Sequence, residues 1–304
     1  MMILGAGLSG LLAAHAFPTA EVFEAAGEDK LPHRALLRFR SAAVGEAVGI
    51  EFRAVQVHKG IWMDGAFVPP DIRTANLYAT KVTGRVLDRS IWNVEAVQRF
   101  IAPDDFIGQL TRNVHTRIHW HTPITCLAAG SAPCISTIPM PALAQVLRTE
   151  HSIRQEVFKH SEIYVSRYHI PDADVYQTVY FPSPDTPVYR ASITGSTLII
   201  ESTDASDDLD RVCQAFGLAN LHAHSITVID ALHEQRYGKI SPINEATRRS
   251  FIEFASSHHN VYALGRYAIW KNVLMDDVLH DLHVIKRLLR TDKYGQNLIN
   301  GDLS

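Results

Sequence analysis

Gly5-Ala6-Gly7-Leu8-Ser9-Gly10 sets three glycines at the spacing G-x-G-x-x-G, directly after the apolar run 1–4 and at the start of the Leu/Ala-rich stretch 8–17. The chemistry such a spacing serves is the cradling of a pyrophosphate. Gly5 permits a tight turn, Gly7 lets backbone approach the phosphates, and Gly10 lets a helix pack closely on a strand. The N–H groups at the helix start, those of Leu8 and Ser9 among them, add a partial positive charge. Glu24 ends a second strand-like run, 20–24, and stands 19 residues after Gly5. A carboxylate there accepts hydrogen bonds from ribose hydroxyls and repels a 2′-phosphate, which disfavours an NADP-type cofactor. Glycines alone would equally fit an ordinary turn. Strand, helix and acid together point to a bound dinucleotide.

A second constellation lies near the other end. Gly265-Arg266-Tyr267-Ala268-Ile269-Trp270 follows the strand-like run 261–264, and Met275-Asp276-Asp277 opens the helical stretch 275–290. Gly265 allows close backbone approach, and Arg266 offers a bidentate cation to a phosphate. The first N–H groups of the last helix can face an electron-rich carbonyl, the kind of donor a flavin ring needs where negative charge develops on reduction. Asp276 and Asp277 also suit plain helix capping.

Joined, these two motifs resemble the flavin amine oxidase and UDP-galactopyranose mutase superfamily. The segments Cys134–Pro139, Thr178–Arg190 and Arg236–Ile243 resemble its middle and late elements. The chain is shorter than typical members, and Ala25-Ala26-Gly27-Glu28-Asp29 replaces the glycine-rich turn that usually follows the ribose acid. Its short format also resembles bacteriophage flavoproteins that hypermodify thymine bases. The resemblance implies an α/β fold: a Rossmann-like, glutathione-reductase-type FAD domain with an inserted β-rich substrate domain. It implies FAD as cofactor and oxidation or cleavage of a C–N bond, in a small-molecule amine or an amino-acid-modified base. The alternatives are a non-redox, mutase-like enzyme on a sugar nucleotide and a flavin-binding module without turnover.

The same resemblance places the flavin against the β-rich part. Lys239, in Tyr237-Gly238-Lys239, is its candidate for holding a water near the ring, with Tyr237 beside it. Arg190, after Tyr189 at a strand end, is the candidate for a substrate carboxylate or phosphate. Trp62, in Gly60-Ile61-Trp62, reads either as a ring contact or as core. Among sixteen histidines, His115, His119 and His121 are the densest set, but no carboxylate or cysteine completes a ligand group, so no metal is expected.

The elements that must position these residues follow from patterning. Residues 1–24 read as strand, helix, strand. Helices are expected over 33–48, over 91–113 with a fresh start near 102, and over 206–219, 243–257 and 275–290. Short strands are expected over 49–86, 114–122, 134–138, 227–232 and 261–264, and an antiparallel sheet over 153–200. This assigns 1–48, 110–150 and 210–304 to the FAD-binding domain and 49–109 and 151–209 to the substrate domain. At 46% hydrophobic, 304 residues suffice for a full core. The net charge of −3 gives no global attraction to nucleic acid, yet Arg34, Arg38 and Arg40, then Arg112 and Arg117, cluster. They read either as a solvated face or as a phosphate track for DNA. Three cysteines without a metal or disulfide spacing, and no leader or membrane-length apolar run, point to a cytoplasmic protein. Nothing in the sequence speaks to oligomeric state.

Overall fold

The structure is a computed structural model describing residues 1–28, 36–86, 91–130, 132–148, 158–218 and 225–300, with side chains to 290. The chain opens with β1 (Met2–Leu4), α1 (Leu8–Ala16), β2 (Glu21–Phe23), β3 (Arg38–Phe39) and α2 (Ala43–Val48). It continues through β4 (Arg53–Met63), β5 (Ala66–Val68), α3 (Ile72–Thr83), β6 (Val97–Ile101), α4 (Phe106–Val114), β7 (Ile118–His119), β8 (Cys134–Ser136) and α5 (Met140–Val146). Then come β9 (His160–His169), β10 (Val175–Tyr180), β11 (Val188–Gly195), β12 (Thr197–Ser202) and α6 (Leu209–Ala215). The last elements are β13 (Thr227–Ile240), α7 (Glu245–His259), β14 (Val261–Ala263) and α8 (Met275–Asn300).

Two sheets result. The first has five parallel strands in the order β14-β8-β1-β2-β7. β1, at its centre, is apolar at successive positions, Met2-Ile3-Leu4, because both faces are covered there. Ile3, Val22 and Ile135 point to α1, α4 and α8, while Leu4, Cys134 and Val261 point to α5, α7 and Trp270. Arg117 closes the end of α1 by donating to the carbonyls of Ala14 (2.9 Å), Phe17 (3.2 Å) and Ala20 (2.8 Å).

The second sheet runs β13-β9-β12-β11-β10-β4-β6-β3, with β5 on β4. Its pairings are antiparallel except that of β10 with β4. One face packs Val179, Phe181, Ile193, Leu198 and Ile200 on Val212 and Ala215 of α6. The other packs Ile61, Val165, Tyr189 and Ile199 on Tyr78 and Val82 of α3.

Several elements differ from the sequence expectation. Residues 33–48 do not form one helix: 33–35 lie outside the described residues, 38–39 are β3, and only 43–48 are helical. The stretch 49–86 contains a helix, α3, started by a reciprocal capping box between Asp71 and Thr74. The expected helix over 91–113 is instead β6 followed by α4. β13 runs to Ile240 and pairs with β9, and α6 packs on the second sheet, so both belong to the β-rich part and not to the nucleotide part.

Lys81 of α3 ties this sheet together. Its ammonium donates to the carbonyls of Phe181 (2.9 Å), Ser183 (2.7 Å) and Val188 (2.5 Å), and burial pulls its pKa down to about 8. Lys81→Met strands these carbonyls, each at a cost of about 1–3 kcal/mol when left without a donor. Urea unfolding should show a loss of at least about 2 kcal/mol. A midpoint equal to that of the parent would refute this role.

Candidate functional site

The glycine turn is built by close packing. Gly5 has φ of +94°, and a Cβ there would stand 2.6 Å from the Thr137 hydroxyl oxygen. That hydroxyl donates to Leu4 O (2.8 Å) and Gly5 O (3.2 Å). A Cβ on Gly10 would overlap the Gly5 carbonyl. Gly7 is the contrast: it is exposed, and a Cβ on it meets nothing within 4 Å. It is the N-cap of α1, and no side chain among the described residues caps that helix. The Leu8, Ser9 and Gly10 amides therefore have no side-chain acceptor among the described residues, as a phosphate cradle requires. The Glu24 carboxylate braces the turn, accepting from Ala6 N (2.7 Å) and Ala26 N (2.8 Å). Each oxygen keeps a second lone pair for a ribose hydroxyl.

The far end of the chain closes on this turn. Gly265 has φ of +90°, and a Cβ on it would lie 2.5 Å from Ser9 Oγ. α8 lies along α1, with Val278 and Leu282 in one core with Leu8 and Leu11. Arg266 points towards the second sheet, donating from Nη2 to Gly238 O (3.2 Å) and lying over the Tyr267 ring. Asp276 accepts from Arg40 N (3.1 Å), Ser41 N (3.0 Å) and Ser41 Oγ (2.9 Å). Asp277 accepts from Leu274 N (2.8 Å) and pairs with Arg40. These carboxylates fasten the 40–41 turn to α8, so what α8 offers a ligand is its first backbone amides, beginning at Met275. The cap residue, Leu274, has no side-chain oxygen to occupy them.

Arg266 leads on, through Gly238 and Lys239 of β13, to a charged patch of the second sheet. Between Val188 and Arg190 the β11–β12 register slips, a bulge that turns Tyr189 and Arg190 to the same side as Glu201. Glu201, 8% exposed, accepts from Tyr189 Oη (3.0 Å) and Arg190 Nη2 (2.7 Å) and pairs with Arg190 Nε. Burial pushes the Glu201 carboxyl up, but Arg190 outweighs it and holds the group at about 2. Lys239 sets its ammonium 4.5 Å from the centre of the Tyr189 ring. Tyr237 packs against His160, Tyr267 and Trp270, and Trp270 Nε1 donates to Ser241 O (3.0 Å). Gly265 thus seats against Ser9, Arg266 reaches Gly238 O, and Lys239 lies over Tyr189, a run of contacts that ties the two ends of the chain to the second sheet. Trp62 does not join them. It packs on Phe67 and the core beneath α6, on the opposite face of the sheet, because it neighbours the inward Ile61 on a strand.

Four of the five clustered arginines have partners within the protein. Arg34 lies outside the described residues, Arg117 caps α1, Arg112 pairs with Asp105 (3.0 Å), and Arg40 pairs with Asp277. Arg38 turns inward, donating to Thr178 Oγ1 (2.7 Å), Thr194 Oγ1 (3.0 Å from Nε), Gln177 O (3.1 Å) and Ile193 O (2.6 Å). His119 pairs with Glu21 (2.8 Å) and stacks on Phe23.

No protein-family model matches the sequence, and no curated protein sequence is detectably similar. Solved structures are. A reduced UDP-galactopyranose mutase superposes with a TM-score of 0.64 at 13% identity, covering 95% of each chain. The chain has the fold of that mutase. A CLA-producing fatty acid isomerase from P. acnes shares it (TM-score 0.60, 11% identity, 94% of this chain and 97% of that one). So does an oxidoreductase from Methanosarcina mazei (0.57, 11%, 94% and 99%). Among the described residues no helix is long and apolar enough to cross a membrane.

Proposed function

We propose that this chain is an FAD-dependent oxidoreductase of the amine oxidase type, oxidising a C–N bond in a small-molecule amine or a modified nucleobase. The reading rests on the seating of Gly265 against Ser9, which joins the far end of the chain to the start of α1, where no side chain among the described residues caps the helix. The amides of Leu8, Ser9 and Gly10 would hold the pyrophosphate and Glu24 the ribose hydroxyls. The first amides of α8 would face the electron-rich end of the ring. FAD, when bound, supplies a two-electron acceptor. Lys239, fixed over Tyr189, would hold the water that hydrolyses the oxidised substrate, and Tyr237 would line the ring's edge.

Anaerobic mixing with a panel of amines tests this. The holoprotein is expected to lose its visible flavin absorbance with a subset of them and regain it on admitting oxygen. Turnover of a sugar nucleotide, seen only after dithionite reduction, would instead select a non-redox mutase-like enzyme, the alternative that the shared fold with UDP-galactopyranose mutase favours. Silence in both assays selects a binding module.

A further inference from the structure

A cavity of about 300 Å³ opens on the α6 side of the second sheet. It lies away from Tyr189 and Ile199, which pack on α3 on the other side. The β4–β5 turn, the β10–β11 connection and α6 wall it. Each wall is fixed. Asp64 and Gly65, with φ of 53° and 79°, join Met63 to Ala66 in a tight hairpin turn. Lys81 holds the β10–β11 connection by the carbonyls of Phe181, Ser183 and Val188, and Thr203 N donates to Pro187 O (3.0 Å). Arg211 of α6 reaches Asp185 on the same connection (2.7 Å). A cavity whose walls are already ordered loses little entropy on filling.

The lining decides what fits. Trp62 supplies an aromatic wall, its indole held by the Phe67 ring at 5.0 Å and 81°. Phe181 adds a second ring. Gln214 is exposed on α6, and its side chain bonds to no described residue. Its carboxamide therefore offers a donor and an acceptor side by side. Arg211 brings no free charge, because Asp185 takes Nη1 and Asp208 takes Nε (3.1 Å). With Asp64 also on the lining, the excess charge is negative, which disfavours an anion. At about 300 Å³ the cavity stands at the lower limit of ligand pockets, with room for one ring system and not for a dinucleotide.

We propose that this cavity binds a neutral, planar heteroaromatic ring of nucleobase size, stacked on Trp62 and read along one edge by Gln214. Stacking tolerates many rings, so selection falls to the carboxamide, which pairs with an adjacent donor and acceptor on the ligand. The site is separate from the glycine turn at Gly5–Gly10 and does not depend on flavin chemistry.

Titration calorimetry tests this, with adenosine and uridine as probes and cyclohexanol as a non-aromatic control. It is run with and without saturating FAD, which keeps the probes from any adenosine site at the glycine turn. At least one nucleoside should bind saturably in both conditions. Gln214→Ala removes an exposed side chain, so the fold survives it, and Kd should rise about 3–10-fold through the lost hydrogen bonds. Trp62→Leu should raise Kd at least about fivefold through lost stacking; should that variant not fold, Gln214→Ala decides. AMP should bind more weakly than adenosine, because the lining is net negative. Nucleosides binding no better than cyclohexanol would overturn the site, as would a Kd unchanged by the substitutions, AMP binding more tightly than adenosine, or binding that FAD abolishes. Nucleoside binding in a protein that retains no FAD defeats the proposed function and leaves this site, while FAD retention without nucleoside binding does the reverse.

Discussion

Gly10→Ala should fail to fold, and Gly7→Ala should fold normally yet lose its cofactor. The two glycines sit three residues apart in one motif and are expected to behave oppositely. A methyl on Gly10 would overlap the Gly5 carbonyl, a clash of backbone with side chain in the packed seam between α1 and β1. Relief requires moving the helix off the sheet, at an overpacking cost of about 3 kcal/mol or more. At Gly7 the backbone φ is −64°, ordinary for alanine, and the methyl enters open space. That space is where the phosphates would lie, so flavin affinity should fall by at least about tenfold, or 1.4 kcal/mol. Thermal unfolding of the apoproteins and fluorescence titration with FAD separate the two effects. A Gly7→Ala protein that binds FAD as tightly as the parent would show that the cradle is not one.

Glu201→Gln should be the most damaging single change in the second sheet. The carboxylate is buried and serves Arg190 and Tyr189 together. Losing its charge strands a buried guanidinium, which costs about 3–5 kcal/mol in comparable pairs. The pH dependence has a definite sign. The folded-state pKa lies below the ordinary 4.5, because Arg190 overcomes the effect of burial. The group's contribution is therefore complete above about pH 4.5 and is lost as pH falls towards 2. Unfolding curves from pH 7 down to 2.5 should show a decline in the parent that is shallower in the glutamine variant. Parallel profiles, or a cost under about 1 kcal/mol, would remove the pair from the list of supports.

The nucleotide sheet was the readable part of this sequence. Its signals are local: three glycines, a strand on each side and an acid at the end of the second. The contact between Gly265 and Ser9 could be anticipated because each motif implies half of one ligand. Glu201 was not singled out, although the charge that ends Leu198-Ile199-Ile200 was its signal. An acid after an apolar strand is often solvent-facing, and only the bulge at Tyr189 turns Arg190 onto it. Arg38 was misread for a similar reason. Its neighbours suggested a basic helical face, whereas a two-residue strand paired with Ile101 directs it inward. α3 was missed because Pro69-Pro70 reads as a turn, yet those prolines precede the Asp71 cap, and Ala75, Tyr78, Ala79 and Val82 carry helical spacing. Long-range pairing decides what local pattern leaves open.

The order of strands in the five-stranded sheet has a consequence for synthesis. β1, at its centre, leaves the ribosome first, while one neighbour, β8, is about 130 residues behind it and the edge strand β14 follows later still. At ~5–20 residues per second the nascent segment waits on the order of tens of seconds for its partners. During that wait Ile3 and Leu4 have only β2 beside them, and the glycine loop lacks the Gly265 that packs on Ser9. If this loop holds a dinucleotide as proposed, capture waits until β14 and Gly265 have been made, and a product that ends before them carries the glycine fingerprint without its packing partner.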